Sequence, residues 1–190
     1  MNNMKSALIV IDMQNDFVTG SLGTRMAEII VPNVVEKCKS VNPDETDIIF
    51  TQDTHHENYL QTREGIGLPI EHCIENTFGW QLIDPLKPFL DQKNVKVIKK
   101  PTFGSKDLVL LGSDPVDVSM YGLDTYHSIY KEYQLVGLCT DICVISNALL
   151  LKAFWPELKI TVDSRCCAGT TKEAHDAALT VMQSCQIEVL

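Results

Sequence analysis

Six short apolar runs, rich in β-branched residues, recur along the chain: Ala7–Asp12, Asp47–Gln52, Val95–Lys99, Gln134–Leu138, Ile160–Asp163 and Ile187–Leu190. Each is nearly continuous rather than alternating, the pattern of a strand buried on both faces. Between several of them apolar residues recur at helical spacing, over Val31–Ser40, Trp80–Leu90, Ile142–Ala153 and Thr171–Cys185. Strands that alternate with helices predict an α/β fold: a three-layer α/β/α arrangement around a mainly parallel sheet of about six strands. Pro32 suits the first turn of its helix, and Thr170-Thr171 offers a capping threonine to the last one. The polar stretch Asp53–Gly79 reads as a long loop, and a loop beyond about 12–15 residues in a compact domain usually has a function. Gly112–Tyr133 follows neither period and receives no assignment. At 190 residues the chain is expected to be one domain, spanning 1–190.

In open parallel sheets ligands bind beyond the carboxyl ends of the strands. Asp12 ends the first predicted strand, Asp53 the second and Lys100 the third, while Cys143 follows the fourth. The topology therefore carries all four to one rim. Taken singly, each has a structural role open to it: a turn cap, a loop anchor, a solvated amine, a small core residue. Together they supply a nucleophile, a base and a cation. Cys143 lies where a strand passes into a helix, close to unpaired N–H groups and with Asp141 as a first-turn acid, a setting expected to favour thiolate. The same N–H groups could hold a developing oxyanion. Asp12 can take the thiol proton and return it to a leaving group, and Lys100 can steady both anions.

A second set of chemistry-bearing residues lies in the long loop: Asp53-Thr54-His55-His56-Glu57, then Glu64, then Glu71-His72-Cys73. An Asp and a His two apart on extended chain can face one ion. Spacing alone leaves a metal site and a polar surface loop both open.

Charge and cysteine usage narrow the classes further. Sixteen basic against twenty-five acidic residues give a net charge of −9, which argues against nucleic-acid or anionic-membrane partners. The first apolar run meets Asp12 too soon for a signal-peptide core, and no stretch approaches the ~20 apolar residues of a membrane span. A cytoplasmic protein is expected. Seven irregularly spaced cysteines make neither a disulfide framework nor a four-thiolate zinc site. Gly-rich dinucleotide and phosphate loops are absent from the sequence.

Four segments, in order, resemble the isochorismatase-like cysteine hydrolases, and among them the nicotinamidases in particular: Ala7-Leu8-Ile9-Val10-Ile11-Asp12-Met13-Gln14-Asn15-Asp16-Phe17, Thr51-Gln52-Asp53-Thr54-His55, Lys100-Pro101-Thr102-Phe103-Gly104-Ser105 and Gly137-Leu138-Cys139-Thr140-Asp141-Ile142-Cys143-Val144. The resemblance implies that family's fold, Asp12, Lys100 and Cys143 as a catalytic triad, and a cis peptide linking Leu138 to Cys139. It implies an oxyanion hole from the backbone N–H groups of Cys139 and Cys143. It also implies one divalent metal ion, zinc or else manganese or iron, on Asp53, His55 and His72, with Glu64 as a further candidate ligand. Phe17 and Phe103 are the implied walls of the substrate pocket. The implied reaction is hydrolysis of a small amide through a thioester, nicotinamide giving nicotinate and ammonia, in a homo-oligomer. Alternatives are a metal-free amidase for a carbamoyl or ureido substrate and a non-catalytic binding member; vinyl-ether hydrolysis of isochorismate is disfavoured by the thiol and the D-x-H pair. Where many nicotinamidases carry Trp-Pro-Pro-His, this chain has Leu68-Pro69-Ile70-Glu71-His72, one residue longer and without the tryptophan wall, for which Phe17, Phe103 and Trp80 are the candidate substitutes.

Overall fold

The structure, a computed structural model, describes residues 4–114 and 127–190. Six parallel strands form one sheet in the order β3-β2-β1-β6-β7-β8: β1 Lys5–Ile11, β2 Thr46–Asp53, β3 Val95–Lys100, β6 Tyr130–Leu138, β7 Lys159–Ala168 and β8 Glu188–Val189. A two-residue antiparallel pair, β4 Ser113–Asp114 with β5 His127–Ser128, stands apart, and two short helices, α1 Asn15–Val18 and α4 Lys106–Leu111, lie in the connections after β1 and β3. The order reverses between β1 and β6, which opens a crevice at their carboxyl ends. There Gly137, paired with Ile11, takes φ +114°, and a Cβ on it would lie 2.1 Å from the Ile11 carbonyl oxygen. Only glycine lets the two strands close at that point.

Period-two alternation sends β1 residues to two cores. Leu8 and Val10 face the side covered by α2 (Arg25–Lys39), packing with Ile30, Val34 and Phe50. Ala7, Ile9 and Ile11 face the other, covered by α5 (Ile145–Phe154) and α6 (Lys172–Ser184), with Leu135, Val144, Ala148 and Met182. Thr171 caps α6 by accepting from Ala174 N–H, as the sequence suggests.

Three expectations need correction. The Trp80–Leu90 helix is instead a 3-10 turn over Asp84–Phe89 with irregular chain before it. Its apolar spacing is helical, but Pro85 and Pro88 lack the N–H groups an α-helix needs. Pro32 is not in a first turn: α2 begins six residues before Val31, capped by Thr24, whose Oγ1 accepts from Ala27 N–H at 3.1 Å. Pro32 and Glu28, whose carbonyl loses its partner, both lie on the exposed face, where water can replace the missing bond. The stretch Asp53–Gly79 is less loop-like than expected, since it contains a 3-10 turn at Tyr59–Gln61 and the short helix α3 at Arg63–Gly67. Of the unassigned Gly112–Tyr133, residues 115–126 lie outside the described residues.

Candidate active site

The carboxyl rim of the sheet gathers the sequence-predicted side chains. Asp12 follows β1, Asp53 and Lys100 end β2 and β3, and Cys143 sits in a five-residue π-turn, Thr140–Val144, that starts two residues after β6. A cis peptide joins Leu138 to Cys139 ahead of that turn. Lys100 Nζ lies 2.6 Å from Asp12 Oδ2, 3.3 Å from Asp53 Oδ1 and 3.5 Å from Cys143 Sγ. All four residues are buried. Alternation along β3 turns Lys99 the other way, where it is exposed, pairs with Glu75 at 2.8 Å and lies over the Trp80 ring.

Burial raises the Asp12 pKa, against the pull of Lys100 and the 2.6 Å hydrogen bond that Thr51 Oγ1 donates to Asp12 Oδ1. Asp12 Oδ2 is ion-paired with Lys100 Nζ and accepts no other hydrogen bond among the described residues. Burial also drives the Cys143 pKa well above that of a free thiol, and the Asp12 charge adds to this more than Lys100 removes. The setting differs from the one expected to favour thiolate: near the start of a helix, but buried and beside two carboxylates, the sulfur has its pKa raised rather than lowered. Lys100 is itself pushed upward, because Asp12, Cys143 and Asp53 outweigh its desolvation. A thiol of raised pKa beside a carboxylate that Lys100 holds at 2.6 Å suits proton transfer coupled to attack.

Asp53 joins this group to a second one. Its Oδ2 lies 3.0 Å from His55 Nε2 and 3.5 Å from His72 Nε2; Glu64 Oε1 is 3.5 Å and 3.7 Å from the same two nitrogens. One ligand atom from each of the four residues falls within 4.8 Å of every other. Four ligands at about 2.0–2.2 Å around a tetrahedral ion would stand roughly 3.3–3.6 Å apart, so the donors fit a divalent metal. The His72 ring is also pre-oriented: its Nδ1 lies 2.8 Å from the Ile70 carbonyl oxygen, leaving Nε2 to face inward. Burial lowers the Asp53 carboxyl's tendency to ionise, yet hydrogen bonds from His55 and His72 and the Lys100 charge hold its pKa well below the carboxylate range. His55 is held at about 9, its desolvation outweighed by Asp53 and Glu64.

A cavity of about 320 Å³ opens onto both groups, lined by Asp53, His72, Cys139 and Cys143. Phe17, Leu68 and Phe103 supply apolar wall, with Leu22, Ala27 and Ile142 beyond them. Trp80 does not line it; its indole N–H donates to Thr54 Oγ1. The Phe17 ring is 5.5 Å from that of His72.

Several supporting residues carry no signal that periodicity or motif chemistry could have isolated. Gln14 clamps the end of β2, accepting from Asp53 N–H at 2.7 Å and donating to the Asp53 and Trp80 carbonyls. Asp16 Oδ2 accepts from Cys73 N–H at 2.8 Å and so fixes the segment that bears His72. Tyr59, fully buried, packs against both imidazoles at 4.6 and 4.9 Å. Asn147 ties the π-turn to the Lys100 loop by donating to the Cys143 and Phe103 carbonyls.

The isochorismatase domain profile matches residues 6–190. The chain belongs to the isochorismatase family. Among its relatives in this family, the nicotinamidase of Saccharomyces cerevisiae is 26% identical over 174 residues, covering 75% of this chain and 79% of that protein. The crystal structure of nicotinamidase PncA from Bacillus subtilis superposes with a TM-score of 0.79 at 26% identity, over 98% of this chain and 99% of that one. The pyrazinamidase of Pyrococcus horikoshii, solved in complex with zinc, gives 0.76 at 25% identity over 98% of both chains. This isochorismatase-family chain thus shares the α/β fold of those proteins along nearly its whole length.

Proposed function

We propose that this isochorismatase-family chain hydrolyses nicotinamide to nicotinate and ammonia through a thioester on Cys143. The observation that carries the reading is one cavity lined by the Cys143 thiol and by two members of the metal-binding group, Asp53 and His72. At about 320 Å³, with mostly apolar walls, it suits a single-ring amide. Relatives named nicotinamidase support the same substrate.

Asp12 takes the Cys143 proton as sulfur attacks the amide carbon, and the backbone N–H groups of Cys139 and Cys143 hold the oxyanion. Removing one such donor typically costs about 2.7–4 kcal/mol in the barrier. Asp12 returns the proton to the departing nitrogen, releasing ammonia and leaving the thioester. It then accepts a proton from water as the water oxygen attacks the thioester carbon, and passes that proton to sulfur as nicotinate leaves. Lys100 keeps Asp12 anionic before each transfer, and Phe17 and Phe103 hold the ring. A divalent ion, zinc by the company of the zinc-bound pyrazinamidase, would be held by Asp53, His55, Glu64 and His72 and would supply a Lewis-acid contact for the pyridine nitrogen. No helix among the described residues is long and apolar enough to cross a membrane; we place the enzyme in the cytoplasm as a homo-oligomer. Ammonia release from nicotinamide tests the reading. Wild type should release it and Cys143→Ala should not, and turnover that survives the substitution refutes the covalent route.

A further inference from the structure

The turn that carries Cys143 is anchored at two points the reaction does not itself use. Asp141 reaches the loop after β7: its Oδ1 accepts from Thr170 N–H at 2.9 Å and its Oδ2 from the Thr170 hydroxyl at 2.5 Å. Next to it Thr140, fully buried, places Oγ1 2.8 Å from Nδ1 of His175 on α6. The space for these contacts exists because residue 169 is glycine. A Cβ there would lie 2.8 Å from Asp141 Oδ1 and 2.9 Å from the His175 Cβ. Consecutive residues of the turn are thus tied to two elements, the β7–α6 loop and α6, while Asn147 holds the turn from its other end.

We propose that Thr140 and Asp141 are positioning residues, pinned by His175 and Thr170, that fix the rotation of the π-turn so that the N–H groups of Cys139 and Cys143 aim at the developing oxyanion. The inference rests on the acyl-transfer reading above. A five-residue turn closed by Val144 N–H donating to the Cys139 carbonyl at 3.0 Å has little helix of its own to hold its peptide planes. Donors serve a transition state only when they are already oriented toward the charge that forms there. The ties act on residues 140 and 141, between the two donors. Their loss turns the peptide planes and leaves the sulfur, held by the following helix, in place.

The test separates orientation of the donors from integrity of the nucleophile. Thr140→Val keeps the side-chain shape and deletes the hydroxyl, Thr140→Ser restores it, and Asp141→Asn weakens the paired bonds to Thr170. Two rates are read for each: kcat and KM for ammonia release from nicotinamide, and alkylation of Cys143 by iodoacetamide. Alkylation is displacement at a saturated carbon, in which sulfur bonds to carbon as iodide departs, and it forms no oxyanion. Thr140→Val and Asp141→Asn should lower kcat about ten-fold or more, a fraction of the 10²–10³ lost with a whole donor, with KM and the alkylation rate within about two-fold of wild type. Thr140→Ser should recover most of kcat. An unchanged kcat overturns the proposal, and so does a parallel fall of kcat and alkylation, the mark of a generally loosened site. p-Nitrophenyl acetate, an activated acyl donor, is run alongside. A wild type inert to nicotinamide but acylated by the ester overturns the substrate reading alone, and the same comparison of variants on the ester then decides the clamp. A wild type inert to both overturns the two together.

Discussion

Asp12 is the base of the proposed reaction, and its readiness depends on one hydroxyl. Thr51 Oγ1 donates to Asp12 Oδ1 at 2.6 Å and accepts from Asp12 N–H at 3.1 Å, with both residues fully buried. Thr51→Val keeps the volume and removes both bonds. The hydroxyl bond favours the ionised carboxylate, so its loss raises a pKa that burial has already raised. A hydrogen bond to a charged group contributes about 1.5–3 kcal/mol, and one pKa unit corresponds to about 1.4 kcal/mol, so the expected rise is about one to two units. The acid limb of kcat/KM reports ionisation in the free enzyme. It should move toward higher pH by that amount, with activity on the alkaline side little changed. Because Asp12, Lys100 and Cys143 titrate together, the limb belongs to the group and only its displacement is interpreted. Thr51→Ser, which keeps the hydroxyl, should leave the limb within about half a unit. A limb that stays fixed in Thr51→Val, or moves toward acid, refutes Asp12 as the base.

Other perturbations read the same charges. Lys100→Met strips the cation from two buried carboxylates and should cost about 3–5 kcal/mol of stability in urea unfolding at neutral pH. The deficit should shrink on acidification: with its pKa raised further, Asp12 gains a proton in the folded chain before it does in the unfolded one, so lower pH favours folding. A deficit that grows toward acid contradicts this. His72→Gln removes one of four donors, and metal per chain by mass spectrometry after dialysis should fall well below the wild-type value; equal retention would exclude His72 as a ligand. Asp163, buried between Lys37 at 2.8 Å and Arg165 at 3.1 Å, has a depressed pKa because these partners outweigh its burial. Its stabilisation is present above the unfolded carboxylate pKa and is lost as pH falls through the folded value. Asp163→Asn should therefore be about 1.5–3 kcal/mol less stable at neutral pH, with the gap closing as wild type is acidified; a gap independent of pH would refute the pairing.

The parallel sheet was legible because strands buried on both faces have no choice but to be continuously apolar. All six predicted strands are present, although β7 runs on to Ala168 past Asp163-Ser164-Arg165, where charged residues hide the continuation. Those residues form a bulge, with Leu135 and Gly137 of β6 paired to Val162 and Cys167 of β7. Asp163 is buried there by its cationic partners rather than by any apolar signal. The Trp80–Leu90 error has the opposite origin: helical spacing was followed where two prolines vetoed it. Strand ends were legible for the same reason as the strands, and with them the convergence of Asp12, Asp53, Lys100 and Cys143 on one rim.

What the residues alone did not reveal is how those groups share charge. The position of Cys143 near a helix start argued for thiolate, but that field competes with desolvation and with two carboxylates whose distances only the fold sets. Asp53 is the hinge of the arrangement. One oxygen faces Lys100 and the other faces His55 and His72, so the cation beside Cys143 and the candidate metal group share one carboxylate. Two carboxylates, Asp12 and Asp53, face the one ammonium, while Glu64 stands with Asp53 against His55 and His72. Without an ion, protonation of His55, whose pKa Asp53 and Glu64 raise to about 9, offsets part of that negative charge. A divalent cation on the donors of Asp53, His55, Glu64 and His72 would take the place of that proton. The two groups are therefore coupled through Asp53, and Asp53→Asn should lower metal per chain in mass spectrometry while it removes one of the two anions that face Lys100.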